Sequence, residues 1–246
     1  MARCIAGARA RFRKVDGLER IKAIALGQFH GVALREDGVV IGWGGATSGG
    51  ISYQTKQTAS LCGNPDAQPF FSGAIAIAAD AGSTYALRAD GSVWAWGSSW
   101  NRDPATPREA SPDNKPDPLL ARHIATLEDA IALGGGDAPS ALTRQGRVVS
   151  WKPDYHPDAG AQLQAGVGNV VALSSYSSIL DLRSDGFVCT MGDNMYGTTV
   201  PGDKSSRVAS FVPVALGDGQ GFLNLINPGL TAPADLCASQ PATTSR

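Results

Sequence analysis

The chain has 246 residues, a formal net charge of −1 and an apolar fraction of 43%. This length is enough for one large domain or two small ones, and the near-zero charge excludes a global field that would attract nucleic acid or a membrane surface. No apolar run approaches the roughly 18 residues of a membrane-spanning helix. The 30 glycines and 15 prolines indicate many strands joined by turns.

The first fourteen residues are basic and contain no acidic side chain. They lack the apolar middle section of a secretory signal peptide. A transit segment, a nucleic-acid-binding arm and a solvated terminus all fit this composition. We interpret residues 1–14 as an arm outside the fold, and a cytoplasmic location without a membrane anchor is the expectation that follows.

A short hairpin pattern recurs along the rest of the chain. Each copy has an apolar strand that in three of the four includes Ala-Leu, a turn that ends in glycine, and a second strand that carries an aromatic or other bulky residue. The four copies are residues 32–44, 85–97, 140–152 and 180–192. Recurrence of one hairpin at this spacing predicts a repeat architecture.

In the second copy, Asp90-Gly91 predicts a two-residue turn that places Leu87 opposite Trp94. Side chains alternate along a strand, so this register predicts one bulky face and one flat face. The bulky face would carry Tyr85, Leu87, Trp94 and Trp96, and the flat face would carry Ala86 and Ala95. We expect the tryptophans to pack between neighbouring units.

A short apolar strand precedes every hairpin, at residues 24–27, 77–80, 131–134 and 171–174. Its continuous apolar character predicts a strand that is buried on both faces and lies innermost in its sheet. Each unit thus has three to four antiparallel strands in ~40–55 residues, which is typical of a β-propeller blade.

The predicted blades cover residues 15–70, 71–123, 124–166 and 167–210, followed by a partial blade at residues 211–235. In the partial blade, Val214 to Leu225 aligns with Val171 to Leu182, and Pro228-Gly229 stands where the fourth copy has its turn. Residues 236–246 are predicted to form a disordered tail.

The repeat pattern resembles the regulator of chromosome condensation repeat family, which includes bacterial β-lactamase-inhibitor propellers. The match is an Ile-Ala-x-Gly strand, a His-x-x-Ala-Leu strand, Asp-Gly and an aromatic-x-Trp-Gly strand. It runs from Ile24 to Gly44, where it includes His30, and again from Ile77 to Gly97. The resemblance implies an all-β propeller fold.

Closed rings of seven blades are usual in that family, whereas this sequence has four full units and a partial fifth. We therefore expect an incomplete or atypical propeller of about four to five blades. Three arrangements follow: the chain pairs with a second copy to complete a ring, closes with distorted blades, or is a fragment of a larger protein.

Motifs for chemistry are absent from the sequence. The four cysteines form no CxxC pair, and disulfide pairing among Cys4, Cys62, Cys189 and Cys237 is left open. No nucleophile elbow, Walker loop or His-Glu-x-x-His motif is present. We expect no catalytic residue, no metal and no cofactor.

Loops that project from a rigid scaffold are where binding usually lies. The candidate contacts are the turns between the first two strands of each unit and one long loop: Phe29, His30, Ser83, Asp137, Tyr176 and Gln220, with Trp100, Asn101 and Arg102 from the loop. The predicted function is a non-enzymatic scaffold that binds a protein partner through its blade rim. Alternatives are GTPase nucleotide exchange, enzyme inhibition and association with chromatin or nucleic acid, and an enzyme ranks last.

Overall fold

A computed structural model describes residues 18–28, 30–44, 69–80, 82–97, 121–124, 127–151, 162–164, 167–197, 199–200, 205–216, 221–227, 230 and 236–237. These residues contain sixteen β-strands and no helix. The strands are β1 (Ile21–Leu26), β2 (His30–Arg35), β3 (Val40–Gly44), β4 (Pro69–Phe71), β5 (Ala74–Ala79), β6 (Ser83–Arg88), β7 (Val93–Gly97), β8 (Arg122–His123), β9 (Ala130–Gly134), β10 (Ser140–Thr143), β11 (Val148–Ser150), β12 (Gln162–Leu163), β13 (Val170–Ser175), β14 (Ser178–Arg183), β15 (Val188–Asp193) and β16 (Arg207–Pro213).

The strands form four antiparallel sheets, each of four strands that neighbour one another in chain order. The blades are therefore β1–β4, β5–β8, β9–β12 and β13–β16, which we call the first to fourth blade. The predicted all-β fold of repeated meander sheets is confirmed. The predicted unit boundaries stay predictions, although the fourth sheet extends to Pro213, past the end given above for the fourth unit.

The predicted hairpin register is wrong by one residue. Leu87 lies opposite Val93, and the Arg88 N–H donates to the carbonyl of Ser92 over 3.0 Å. The loop therefore has three residues and ends at Gly91, whose φ of 89° is the left-handed conformation that completes a type I turn with a bulge. A Cβ at Gly91 would lie 2.4 Å from the carbonyl oxygen of Glu128, so glycine is also required for packing.

The corrected register removes the bulky and flat faces and replaces them with mixed ones. Tyr85 pairs with Ala95 on one face, and Ala86 pairs with Trp94 on the other. A large side chain thus lies beside a small one on both faces. The same shift holds in the other hairpins, where Ala33 faces Ile41, Ala141 faces Val149 and Asp181 faces Cys189.

Three hydrophobic clusters lie between successive blades, and the tryptophans contribute to them as predicted. Phe71 of the first blade stacks on Trp96 of the second with ring centroids 5.4 Å apart. Tyr85 of the second blade meets Trp151 of the third edge-on at 5.3 Å. The cluster between the third and fourth blades is mainly aliphatic, includes Phe211, and contains a disulfide between Cys189 and Cys237.

The innermost strands are less buried than predicted. Each lies at the edge of its sheet, as expected. However, Leu26 of β1 is 69% exposed, and Ile75, Ile131 and Val171 are also exposed. Ile75, Ile131 and Val171 are the residues without a partner where the register of the inner strand shifts, so they are not held against the second strand.

A backbone hydrogen bond joins each turn glycine to the next unit. The carbonyls of Gly38, Gly91 and Gly146 accept from the first residue of β5, β9 and β13, respectively. In the fourth blade, Gly186 accepts from the N–H of Leu225 over 2.9 Å. Leu225 therefore takes the place of the first residue of an inner strand, and the predicted alignment of residues 214–225 with residues 171–182 is wrong. Similar composition, Val-Ala-Leu followed by a small residue, produced the mismatch.

Candidate functional site

The turns that follow the four inner strands gather at one rim of the blade array, around an open pocket of about 290 Å³. Its walls come from all four blades and include Leu26, Ala79, Leu133, Leu173 and Tyr176. Gly134, Gly135 and Gly136 lie at its base. None of the described residues that line it carries a charged side chain, and most of the surface that they expose to the pocket is polar, so the pocket is suited to an uncharged group that forms hydrogen bonds.

Hydrogen bonds between blades hold this rim pocket in place. The Gly136 N–H donates to the carbonyl of Ala79 over 2.9 Å, and the Ala138 N–H donates to the carbonyl of Tyr176 over 2.8 Å. The Ser175 hydroxyl donates to the carbonyl of Gly135 over 2.9 Å. Three blades are thus tied together at the pocket, so its shape exists before any ligand binds.

Gly136 allows the third and fourth blades to approach closely. Its φ is 81°, and a Cβ added there would lie 2.3 Å from the Cα of Tyr176. Only glycine fits both the left-handed backbone and this contact. The glycine run at residues 134–136 therefore shapes the rim, a role that sequence reasoning missed because Tyr176 is distant in the chain.

Two of the predicted contact residues are accessible at the rim. The Tyr176 side chain lines the pocket and is 72% exposed. Asp137 is exposed in the turn next to Gly136. An exposed tyrosine beside a preformed pocket is a typical anchor for a protein partner, because it buries a large area with little conformational entropy to lose.

His30 and Ser83 lie inside the structure. His30 is 4% exposed, and its Nε2 lies 3.0 Å from the Thr84 hydroxyl in a hydrogen bond between the first and second blades. Burial lowers the pKa of His30 to about 4, so the ring is neutral at physiological pH. Ser83 has no exposed surface. A partner at the rim would therefore meet neither side chain in the folded protein.

The other predicted contacts, Phe29, Trp100, Asn101, Arg102 and Gln220, lie outside the described residues. Within those residues, no three His, Cys, Asp or Glu side chains come together as a metal site. Nor does any helix there have the length and apolar character to cross a membrane.

Asp80 is a buried residue of this rim that sequence reasoning missed. Its carboxylate accepts hydrogen bonds from the N–H groups of Gly82 and Ser83 and, over 2.5 Å, from the Tyr85 hydroxyl. Burial raises the pKa of Asp80, and these donors act in the opposite direction. The signal was present in the sequence, since Asp80 stands where Gly27 and Gly134 end the corresponding strands.

Comparison with known proteins adds to this description. A family model described as the regulator of chromosome condensation (RCC1) repeat matches residues 21–49. Among solved structures, Prp20p from Saccharomyces cerevisiae, described with its binding to Gsp1p and histones, superposes with a TM-score of 0.60 at 14% identity over 81% of this chain. Human WBSCR16 gives a TM-score of 0.58 at 17% identity over 78% of this chain.

A second structure of yeast RCC1 (Prp20), bound to Kap60, gives a TM-score of 0.61 at 15% identity over 81% of this chain. The chain spans only about half of these structures, 52% of the first, 52% of the human protein and 50% of the Kap60-bound one. At these identities the superpositions establish the fold. With the repeat matched at residues 21–49, they confirm the predicted resemblance to the RCC1 repeat family, and the superpositions show a β-propeller fold.

Proposed function

We propose that the protein is a non-enzymatic scaffold that binds a protein partner through the rim pocket. The observation that carries the proposal is Tyr176, 72% exposed beside an uncharged pocket whose shape is held by hydrogen bonds between blades. Solved propellers of the same fold bind proteins, as described for Prp20p with Gsp1p and histones. The described residues of the pocket include no catalytic arrangement of side chains that would favour an enzyme instead.

The test compares two exposed tyrosines of the fourth blade. Tyr176→Ala removes the proposed anchor, and Tyr196→Ala, at a position 84% exposed and absent from the pocket lining, serves as the matched control. Partners are captured on each immobilised variant and compared by quantitative mass spectrometry. We expect a partner retained by the wild type and by Tyr196→Ala that binds about 30-fold more weakly to Tyr176→Ala.

Equal capture by the two tyrosine variants would reject the rim pocket as the binding site. A narrower proposal, regulation of a small GTPase, is tested directly with fluorescent GDP release from Gsp1. Acceleration by the wild type and not by Tyr176→Ala would support nucleotide exchange, whereas unchanged release would leave scaffold binding without that activity.

A second proposal concerns self-association. On the outward face of the fourth blade, Leu180 is 45% exposed. The equivalent residues Val32, Tyr85 and Ser140 are fully buried against the next blade. We propose that a second copy covers this face, because an apolar blade face in water favours association.

Light scattering over a range of protein concentrations tests whether a second copy binds to this face. A concentration-dependent dimer that becomes monomeric in Leu180→Asp supports it. A monomer at every concentration rejects it. The stability of Leu180→Asp should stay close to that of the wild type, since the side chain is half exposed already.

One observation bears on the cellular compartment of the protein. The Cys189–Cys237 disulfide argues for an oxidising compartment, because glutathione and thioredoxin keep cytosolic cysteines reduced. The cytoplasmic location expected above stays a prediction, and the thiol state of Cys189 in protein isolated with alkylation at lysis would decide it.

A further inference from the structure

Asp181 occupies a position that is alanine in the other three blades. It lies at the centre of β14, and Ala33, Ala86 and Ala141 hold the same place in the second strand of their blades. All four residues have no exposed surface. The position faces the preceding blade and leaves room for a small side chain, so in the fourth blade a carboxyl group fills a space that packing otherwise reserves for a methyl group.

The carboxyl group has no hydrogen-bond partner among the described residues. Its neighbours in the sheet are Leu173 and Cys189, which lie opposite it on β13 and β15. The hydrophobic cluster on this face includes Leu142 and Val148 of the third blade, Val167, Phe211 of β16, Leu236 and Cys237. Ser140 and Ser150 lie on the same face of the third blade, and their hydroxyl groups are hydrogen-bonded to Ser175 and Gln164. None of these groups titrates.

Arg183 is the charged residue on the same face of β14, two positions along the strand. Its guanidinium is engaged elsewhere. It forms an ion pair with Asp185 over 2.7 Å and donates to the carbonyls of Gly168 and Leu236. Asp181 thus lies in a mainly apolar contact between two blades, and no cation among the described residues holds its charge.

The residue opposite Asp181 anchors a distant segment of the chain. Cys189 is bonded to Cys237, and both are fully buried in the cluster between the third and fourth blades. The segment Leu236–Cys237 is held there by the disulfide and by the bond from Arg183 to the Leu236 carbonyl. Any expansion of this contact would act on the anchored segment and on the packing of the fourth blade.

We propose that Asp181 is a proton-controlled switch in the contact between the third and fourth blades. With its proton, the side chain is neutral and fits the apolar contact. Without it, an unpaired carboxylate is left in the same space, and the fourth blade separates locally from the third to admit water. The Cys189–Cys237 disulfide keeps Leu236–Cys237 on the fourth blade during this movement, and the contact forms again when the proton returns.

The pH range follows from the two states of the chain. Burial raises the pKa of Asp181 to about 7, and an aspartate in an unfolded chain titrates near about 3.9. Between these values the unfolded chain has lost the proton while the folded chain still holds it. The contribution of Asp181 to stability is therefore greatest below about pH 4, falls as the pH rises to about 7, and is constant above it, where both states are ionised.

Asp181→Asn tests the switch, because it preserves the size of the side chain and cannot ionise. Urea unfolding is measured for wild type and variant from pH 4.5 to 8.5. The ratio of their unfolding equilibrium constants removes the contribution of all other titrating groups. We expect this ratio to change by about tenfold per pH unit between pH 5 and pH 7 and then to level off.

Asp181→Ala should behave in the same way, since three blades carry alanine at this position. Asp137→Asn, at an exposed aspartate of the rim, is the matched control and should show a ratio that does not vary with pH. A constant ratio for both Asp181 variants would overturn the proposal.

Amide hydrogen exchange, corrected for the intrinsic effect of pH, tests whether the opening is local. In the wild type at pH 8 compared with pH 5.5, protection should fall in β14, β15 and β10, while β2 and β6 keep theirs. Asp181→Asn should abolish the difference. Equal loss of protection in every blade would show a global effect of pH and would overturn the local switch.

Discussion

The third blade is flanked by two contacts that are built in different ways. Towards the second blade it presents Trp151 to Tyr85, in a cluster of aromatic and aliphatic side chains. Towards the fourth blade the cluster is mainly aliphatic and contains the Cys189–Cys237 disulfide, and the buried carboxyl of Asp181 lies on the same face as Cys189. The same repeat position is Ala141 in one contact and Asp181 in the other. Side-chain packing makes up the first contact, whereas the second contains a buried acid beside a disulfide that ties Leu236–Cys237 to the fourth blade.

Truncation of Trp151, the aromatic side chain of the first contact, should have the largest effect on the free energy of unfolding. Trp151 is 5% exposed, and Trp151→Ala would leave a cavity beside Tyr85. We expect a loss of about 3–5 kcal/mol in the free energy of unfolding, measured by urea titration. Trp151→Phe, which keeps an aromatic ring against Tyr85, is the control and should lose clearly less. Equal losses would mean that ring contact at this position contributes little.

The repeated blades and their turn glycines could be predicted from the sequence, because hairpins of like composition recur at sites where glycine must adopt positive φ. The tryptophans between blades followed from the same pattern. The register did not follow, because an Asp-Gly pair occurs in two-residue turns and also, as at Asp90-Gly91, at the end of a three-residue loop. The error of one residue in the predicted register placed the side chains of the two strands of every hairpin on the wrong faces relative to each other.

The candidate site was predicted only in part. Tyr176 was found because rim turns carry binding residues, but the pocket beside it requires Gly136 to meet Tyr176 across two blades. No local pattern reports such a contact. His30 was read as a rim residue because it begins a strand, and its burial depends on Thr84 of the next blade. Asp181 was visible as an exception to the alanine position, and its meaning required the corrected register.

Removal of the disulfide should have an intermediate effect, on the other contact of the third blade. Cys189 and Cys237 are separated by 48 residues, and closing a loop of that length stabilises a fold by about 4 kcal/mol in the chain-entropy model. We expect Cys189→Ala with Cys237→Ala to lower the free energy of unfolding by about 2–4 kcal/mol. Reductant should reproduce this loss in the wild type and cause no further loss in the double variant. A further loss there would point to cysteines outside this pair.

The smallest expected effect concerns one hydroxyl group in the contact between the second and third blades. Tyr85 is fully buried, and its hydroxyl donates to the Asp80 carboxylate. Tyr85→Phe keeps the ring against Trp151 and removes the donor, so we expect a loss of about 1–3 kcal/mol in the free energy of unfolding.

That loss should depend on pH in a defined direction. Burial already raises the pKa of Asp80, and without the Tyr85 donor the folded-state pKa rises further, because the hydrogen bond favours the charged carboxylate. A raised folded-state pKa costs stability as the pH rises from the unfolded value to the folded one. The difference between wild type and Tyr85→Phe should therefore be greater at pH 8 than at pH 4.5. Tyr176→Phe, at an exposed hydroxyl, is the control and should change stability by less than about 0.5 kcal/mol at either pH. If the Tyr85→Phe difference were the same at both values, the hydroxyl would act on packing and not on the charge of Asp80.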